Sequence, residues 1–186
     1  TAVAGVRAVV HLAANASMRT PWPVVRDVNI DGTYNVFESA RLAGVKKIVF
    51  ASTNHVTGMY ERDGQSVRPE MMIRPDSLYG VSKAFGEALG RYYVDEYGMS
   101  VICLRIGSFQ PVPRNPRMLS TWLSPRDCAQ LVWRGIERDV PFGVFYGISG
   151  NTRRYWDISN AQSVLGYAPD DDAEAYAAEV LAQARS

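Results

Sequence analysis

The stretch "KKIVFAS", residues 46–52, decides the fold because its apolar side chains follow one another without alternating with polar ones. Such a run fits a strand that is covered on both faces, as in a parallel sheet between two layers of helices. Three further runs have the same character: "RAVVHLAA" (7–14), "SVICLRIG" (100–107) and, more weakly, "GVFYGIS" (143–149). We therefore predict four buried parallel strands.

Helices are predicted between these strands. Residues 23–44 carry small or apolar side chains at every fourth position, namely Val28, Gly32, Val36 and Ala40. Gly44 and Gly98 stand where the first and second helices are expected to end. Ser124, with Asp127 three residues later, predicts the capped start of a third helix. Strands that alternate with helices in this order predict an α/β fold with right-handed crossovers.

The composition limits the classes of function. The chain has 186 residues, of which 47% are hydrophobic and 21% charged, and its formal net charge is +1. These values fit one domain over residues 1–186 and give no reason to expect a nucleic-acid or membrane partner. Two cysteines, Cys103 and Cys128, are too few for a disulfide framework, so a reducing cytoplasm is the expected location. His11 and His55 lack metal-ligand spacing, and we predict no metal site.

Three of the predicted strands end in small and polar residues: "HLAANAS" (11–17), "ASTNHVTG" (51–58) and "RIGSFQPVP" (105–113). Ligands of parallel α/β sheets bind beyond the carboxyl ends of the strands, where small side chains let a ligand approach the backbone. The agreement among the three strand ends favours a binding site at this edge of the sheet.

Tyr79 and Lys83 are four residues apart in the second predicted helix, so both lie on one face of it. The spacing alone is weak evidence, because a motif this short arises often by chance. Ser52 and Thr53 at a predicted strand end add hydroxyl groups to the pair. An ammonium group favours the phenolate form of a tyrosine, and a hydroxyl can hydrogen-bond substrate and phenol together. These side chains predict a centre for proton transfer.

The sequence resembles the extended short-chain dehydrogenase/reductase superfamily, also called the NAD-dependent epimerase/dehydratase family. The resemblance rests on segments from about residue 7 to the end of the chain: "VVHLAA", "VNIDGTYNVFESARLAGVKKIVFAST", "VTG", "YGVSKAFGE", "LRIGS" and "LGYAP". Within this superfamily, "ASTNHVTG", "RPDSLYGVSKAFGE" and "RMLSTWLS" are most similar to the uronate dehydrogenases. The resemblance implies a Rossmann-like, doubly wound parallel sheet. We expect it to be truncated at its N-terminus, since no glycine-rich turn and helix precede the first strand.

The resemblance implies a role for each matching residue. The catalytic group is Thr53, Tyr79 and Lys83, with Tyr79 as general base and Lys83 lowering its pKa and binding the nicotinamide ribose. The cofactor-binding group adds residues at the strand ends, namely Leu12, Ala13, Ala14, Ser52, Ile106 and Ser108. The substrate-binding group is Ser17, Thr53, Asn54, His55, Ser108 and Arg117. Arg117 is expected to hold a sugar carboxylate, which suits the guanidinium fork.

The implied reaction is oxidation of a hexuronate, glucuronate or galacturonate, at C1 to the aldarolactone, with NAD as cofactor and NADP left open. A small C-terminal portion from about residue 109 is expected to bind the sugar. Two alternatives are a nucleotide-sugar epimerase or dehydratase of the same family and a non-catalytic dinucleotide-sensing protein with this fold. Because the glycine-rich part is missing, we expect the chain alone to be inactive. Its uncovered strand edge predicts a homo-oligomer.

Overall fold

The computed structural model of the chain describes residues 3–184. Within them the strands are β1 (Ala8–His11), β2 (Lys47–Thr53), β3 (Ser100–Ile106), β4 (Ser108–Phe109), β5 (Trp122–Leu123) and β6 (Phe142–Gly147). The α-helices are α1 (Trp22–Val24), α2 (Gly32–Leu42), α3 (Gly58–Arg62), α4 (Leu78–Tyr97), α5 (Met118–Thr121), α6 (Pro125–Glu137) and α7 (Ala177–Gln183). Two π-helical segments, Val25–Asp31 and Ala161–Leu165, and two 3-10 turns, Asn54–Thr57 and Ala173–Tyr176, complete the helical elements.

Four strands form one parallel sheet in the order β1-β2-β3-β6, and β4 pairs with β5 in a second, short parallel ladder. In the centre of the larger sheet, Val49 is in register with Val10 on one side and with Ile102 on the other. The strands of this sheet are the four that the apolar runs predict. The predicted α/β class with a parallel sheet is therefore confirmed, whereas β4 and β5 are too short to produce a recognisable sequence pattern.

The larger sheet is covered on both faces, because alternate residues of its strands point to opposite sides. On one face, Phe50 of β2 packs with Phe37 of α2 and Tyr93 of α4. On the other face, Val49 of β2 lies in a cluster with Leu131 of α6. Burying each side chain of this kind contributes about 1.5–3 kcal/mol to folding. Burial on both faces explains why the strand sequences show no alternation of apolar and polar residues.

The first helical region runs without a break from α1 through the π-helical segment into α2, and Gly44 follows it in the left-handed conformation with φ 76°, as predicted. The buried side of this region consists of Val25, Asn29, Thr33, Phe37 and Ala40, whereas Val28 is exposed. The wider π-helical turn and two buried polar side chains therefore interrupt the four-residue spacing seen in the sequence.

The predicted caps of the other two helices are present. Gly98 ends α4 with φ 63°, and the Ser124 hydroxyl accepts a hydrogen bond from the backbone N–H of Asp127 at 3.0 Å. The Asp127 carboxylate does not return to the start of the helix. It accepts hydrogen bonds from the backbone N–H groups of Asp170 (2.9 Å) and Asp171 (3.1 Å), and so fastens the C-terminal segment to α6. Among residues 3–184, no helix is long and apolar enough to cross a membrane.

Candidate active site

The carboxyl ends of β1, β2 and β3 border a cleft of about 470 Å³. Many of the predicted site residues line it together: Leu12, Ala14, Ser52, Thr53, Asn54, His55, Tyr79, Lys83 and Ile106. A cleft of about 550 Å³ at the opposite edge of the sheet, beside Lys46 and Ser100, contains none of the predicted site residues. The structure therefore brings the catalytic group together where ligands of parallel α/β sheets bind.

The start of α4 fixes the position of Tyr79. Ser77 caps this helix by accepting a hydrogen bond from the Gly80 N–H at 3.1 Å, which leaves Tyr79 in the first turn. Gly80 packs directly on the turn that follows β2: a Cβ atom at this position would lie 2.4 Å from the carbonyl oxygen of His55. The absence of a side chain at Gly80 thus lets the helix bring the Tyr79 phenol next to Thr53, the last residue of β2.

Tyr79 is mostly buried, with 9% of its surface exposed. Burial raises the pKa of its phenol, because an apolar environment disfavours the phenolate, and a hydrogen bond with the Thr53 hydroxyl offsets part of this effect. The Thr53 hydroxyl also accepts a hydrogen bond from the backbone N–H of His55 at 3.3 Å, so its position is fixed. In this arrangement the phenol is the stable form of Tyr79.

Lys83 is 2% exposed, and its ammonium group donates a hydrogen bond to the carbonyl oxygen of Ala51 at 2.7 Å. The nitrogen lies 4.8 Å from the centre of the Phe50 ring and 5.9 Å from the centre of the Tyr79 ring. Burial lowers the pKa of Lys83 to about 8. The sequence predicted that Lys83 lowers the pKa of Tyr79. The structure differs, since burial dominates at Tyr79 and Lys83 points to a carbonyl group beside the ring.

A buried ion pair lies directly behind this centre. Glu87, one turn after Lys83 on α4, accepts hydrogen bonds from Arg105 of β3 at 2.8 and 2.9 Å, and both side chains are less than a tenth exposed. The Ser52 hydroxyl donates to the same carboxylate at 2.6 Å. This network joins α4 to β2 and β3, and it commits the Ser52 hydroxyl to Glu87.

His55 is held by an aspartate that the sequence analysis did not single out. Its Nδ1 lies 3.1 Å from both carboxylate oxygens of Asp76, and its ring stands edge-on to Tyr79 with 5.9 Å between the ring centres. Asp76 fits against Gly58, where any Cβ atom would lie 2.3 Å from its carboxylate. The pairing leaves Nε2 as the atom of His55 that is available to a ligand, because the carboxylate occupies the other nitrogen.

A second cleft, also of about 470 Å³, adjoins the first at His55, and Arg117 lines it. Arg117 donates to both carboxylate oxygens of Glu61 and, from Nη1, to the Ser108 hydroxyl at 3.1 Å. With its amide nitrogen turned to the carbonyl of Ile106, Asn54 accepts a further hydrogen bond from Nη2 of Arg117 at 3.1 Å. Arg117 therefore contacts two other predicted substrate-binding residues, Asn54 and Ser108.

Two predicted residues in the loop after β1, Ala13 and Ser17, border neither of these clefts. The Ser17 hydroxyl accepts a hydrogen bond from the backbone of Arg19 within the loop. Asn29 holds the loop in place: it accepts from the Asn15 N–H at 2.8 Å and donates to Ser82 of α4 at 3.0 Å. Asn29 is thus a buried polar anchor that joins the loop to a helix.

His11 lies at the end of β1 with 5% of its surface exposed. It contacts the Thr33 hydroxyl at 3.3 Å and packs beside the ring of Phe50. Burial, with a smaller contribution from the positive charge of Lys83, lowers its pKa to about 4. His11 is thus a neutral, packed histidine at the end of β1.

The site also contains residues that sequence reasoning missed. Asp76 stands within the quoted segment "RPDSLYGVSKAFGE", three residues before Tyr79, but received no role there. Glu61 carries no local signal, since its partner Arg117 is 56 residues away. Both are acidic residues whose meaning depends on which basic side chain the fold brings to them.

Residues 1–139 match the NAD dependent epimerase/dehydratase family, and this match covers most of the chain. The chain belongs to that family. A uronate dehydrogenase of Pseudomonas syringae pv. tomato is 42% identical to it over 182 residues, which cover 97% of this chain and 65% of that protein. An NAD-dependent glucose-6-phosphate dehydrogenase of Haloferax volcanii is 43% identical over 192 residues, covering 96% and 73%.

The fold agrees with that of a solved relative, a variant of uronate dehydrogenase from Agrobacterium tumefaciens complexed with NAD. The TM-score is 0.88 and the identity 38%, and the match covers 97% of this chain and 67% of that one. The chain thus spans about two-thirds to three-quarters of the length of these relatives. The comparisons confirm the predicted family, the Rossmann-like fold and the assignment to NAD-dependent oxidoreductases.

The residues of the first cleft fit the nicotinamide end of NAD. Ala14, Ala16 and Gly107 line it with little or no side chain, so a flat ring can approach the backbone. Tyr79 and Lys83 add a phenol and an ammonium group, which can hydrogen-bond ribose hydroxyls. This combination of small side chains and hydrogen-bonding groups suits a ribose with an attached aromatic ring.

Proposed function

We propose that the chain carries the active site of an NAD-dependent dehydrogenase that oxidises a small free sugar at C1. The observation that supports this most directly is the convergence of Thr53, Tyr79 and Lys83 in one cleft at the carboxyl ends of the strands. A sugar with a free hydroxyl at C1 loses one proton and one hydride to become a lactone. NAD supplies the hydride acceptor when it is bound.

In this proposal, Tyr79 reacts as the phenolate, which takes the proton from the C1 hydroxyl. The Thr53 hydroxyl holds that sugar hydroxyl beside the phenolate oxygen, and its hydrogen bond opposes the effect of burial on the pKa of Tyr79. Lys83, one helical turn away, is assigned to the nicotinamide ribose. Positioned acid–base groups of this type accelerate a reaction by about 100-fold to 10,000-fold.

The sugar itself would extend from the C1 position towards His55 and the second cleft. His55 offers Nε2, and Asn54, Ser108 and Arg117 offer polar groups beyond it. This part of the proposal includes the residues from about 109 onwards as the sugar-binding portion. The resemblance implies a hexuronate as substrate and an aldarolactone as product, and the relatives named as uronate dehydrogenases support that choice.

Two other functions remain as alternatives to this proposal. A nucleotide-sugar epimerase or dehydratase would use the same phenol and lysine, but on a substrate joined to a nucleotide. A non-catalytic dinucleotide sensor would have no use for Thr53, Tyr79 and Lys83 in one cleft. The proposed partner is therefore a small sugar. A cytoplasmic location and a homo-oligomeric state stay predictions from the sequence.

The test is NADH formation by the full-length protein with NAD and a set of sugars: glucuronate, galacturonate, glucose, arabinose and glucose 6-phosphate. Methyl glucoside, in which C1 carries no free hydroxyl, is the matched control. We expect NADH with at least one free sugar, a lactone as the product by nuclear magnetic resonance, and none with the methyl glycoside. Oxidation of the methyl glycoside, or turnover of a UDP-sugar alone, would refute the proposal.

A further inference from the structure

Arg117 has almost no hydrogen-bonding capacity left. A guanidinium has five N–H donors. In this structure the Nε and Nη2 edge faces Glu61, with distances of 2.5 and 2.9 Å to the two carboxylate oxygens. Nη1 donates to Ser108, and the other hydrogen of Nη2 is directed to Asn54. The fork that suits a carboxylate is therefore occupied by a carboxylate of the protein itself.

Glu61 is itself held by more than this one partner. The Tyr155 hydroxyl donates to its Oε1 at 2.7 Å, and four-fifths of its side chain is buried. Burial alone would raise the pKa of Glu61, but the hydrogen bonds from Arg117 and Tyr155 outweigh it and keep the pKa below its ordinary value. Glu61 is thus an ionised and fixed group, and the guanidinium of Arg117 also lies 5.8 Å from the centre of the Trp156 ring.

The other basic residue of the second cleft is also paired. Arg62 lies 3.8 Å from Asp76, the aspartate that holds His55. Each arginine that lines this cleft therefore has an acidic partner in the same lining. The positive charges of the arginines in this lining are therefore balanced by their acidic partners.

A sugar carboxylate placed at Arg117 would lie next to the Glu61 carboxylate, and like charges at such a distance repel. It could bind only by displacing Glu61 from Arg117 and Tyr155, which breaks charge-assisted hydrogen bonds. A neutral sugar meets neither obstacle. We infer that Glu61 is a specificity-determining residue, which withholds Arg117 from carboxylates and directs the site to sugars without a carboxylate group. The inference rests on the proposed oxidation at C1, and it replaces the hexuronate that the resemblance implies by a neutral sugar.

The test compares pairs of sugars that differ only in the carboxylate: glucuronate with glucose, and galacturonate with galactose. Values of kcat/KM are measured for the full-length protein, for Glu61→Gln, and for Glu174→Gln as a control that breaks an exposed pair with Arg153. We expect the unmodified protein and the control to prefer the neutral sugar of each pair. Glu61→Gln is expected to raise the ratio of uronate to neutral sugar by about tenfold or more.

A double variant tests the route of this effect. The rise in the ratio of uronate to neutral sugar is attributed to an Arg117 that no longer pairs with Glu61. This rise should therefore disappear in Glu61→Gln/Arg117→Ala. Binding of glucuronate measured by calorimetry gives a second readout, in which Glu61→Gln should bind more tightly than the unmodified protein. Preference for the uronate in the unmodified protein, or a ratio and affinity that Glu61→Gln leaves unchanged, would overturn the inference. If none of the sugars supports NADH formation, the proposed function is refuted instead. The comparison of glucuronate binding then still decides the role of Glu61.

Discussion

Replacement of Lys83 by methionine should change how the stability of the protein depends on pH. In the folded chain burial lowers the pKa of Lys83 to about 8, whereas the exposed group titrates near 10.5. Between these values the unfolded chain binds one proton more than the folded chain, so the free energy of unfolding rises with pH. Each pH unit inside that window contributes up to about 1.4 kcal/mol. From about pH 8 to about pH 10, the unmodified protein should therefore gain roughly 2 kcal/mol relative to Lys83→Met.

The assay is urea unfolding of both proteins without NAD at several pH values across this window. Taking the difference between the two proteins removes the titration of all other groups. Lys46→Met, at an exposed lysine just before β2, is the matched control for the loss of a lysine side chain. A difference between the unmodified protein and Lys83→Met that stays constant, or that moves the other way as pH rises, would refute the assignment of Lys83 as a desolvated amine.

Two further variants test the groups that support the site. Glu87→Ala should lower the free energy of unfolding, measured in urea, by about 3–5 kcal/mol, because it leaves the buried guanidinium of Arg105 unpaired. The control Asp95→Ala, in an exposed pair, should lower it by less than about 1 kcal/mol. Similar losses in the two variants would contradict the burial argument. Asp76→Asn should lower kcat/KM for the sugar by about tenfold or more, because it removes a charge-assisted hydrogen bond to His55. NAD affinity measured by calorimetry should stay unchanged. An unaltered kcat/KM would show that Asp76 does not position His55.

The sequence was sufficient to predict the strands of the larger sheet, because burial on both faces leaves continuous apolar runs such as "KKIVFAS". Helix ends at Gly44 and Gly98 were also predictable, since a left-handed residue at a helix end has a strong local preference. The buried face of the first helical region was not, because Asn29 and Thr33 are buried polar residues in or next to a π-helical turn. Such burial is decided by tertiary hydrogen bonds, which a local apolar pattern does not contain.

The candidate site shows the same division. Thr53, Tyr79 and Lys83 could be grouped from their positions at a strand end and on one helix face, and they meet in one cleft. The pairing of Arg117 in the second cleft could not be predicted, because its partner Glu61 is 56 residues away in the chain. Long-range pairing of charged side chains leaves no periodic signal in a single sequence.

The central claim, that Tyr79 takes the proton from the sugar, is tested most directly by NADH formation with Tyr79→Phe in the full-length protein. The change removes only the hydroxyl, and Tyr92→Phe, at an exposed position of the same helix, is the control. We predict a loss in kcat of about 100-fold or more for Tyr79→Phe, with unchanged urea unfolding, and full activity for the control. A kcat within a few-fold of the unmodified protein would contradict the role of Tyr79 as general base.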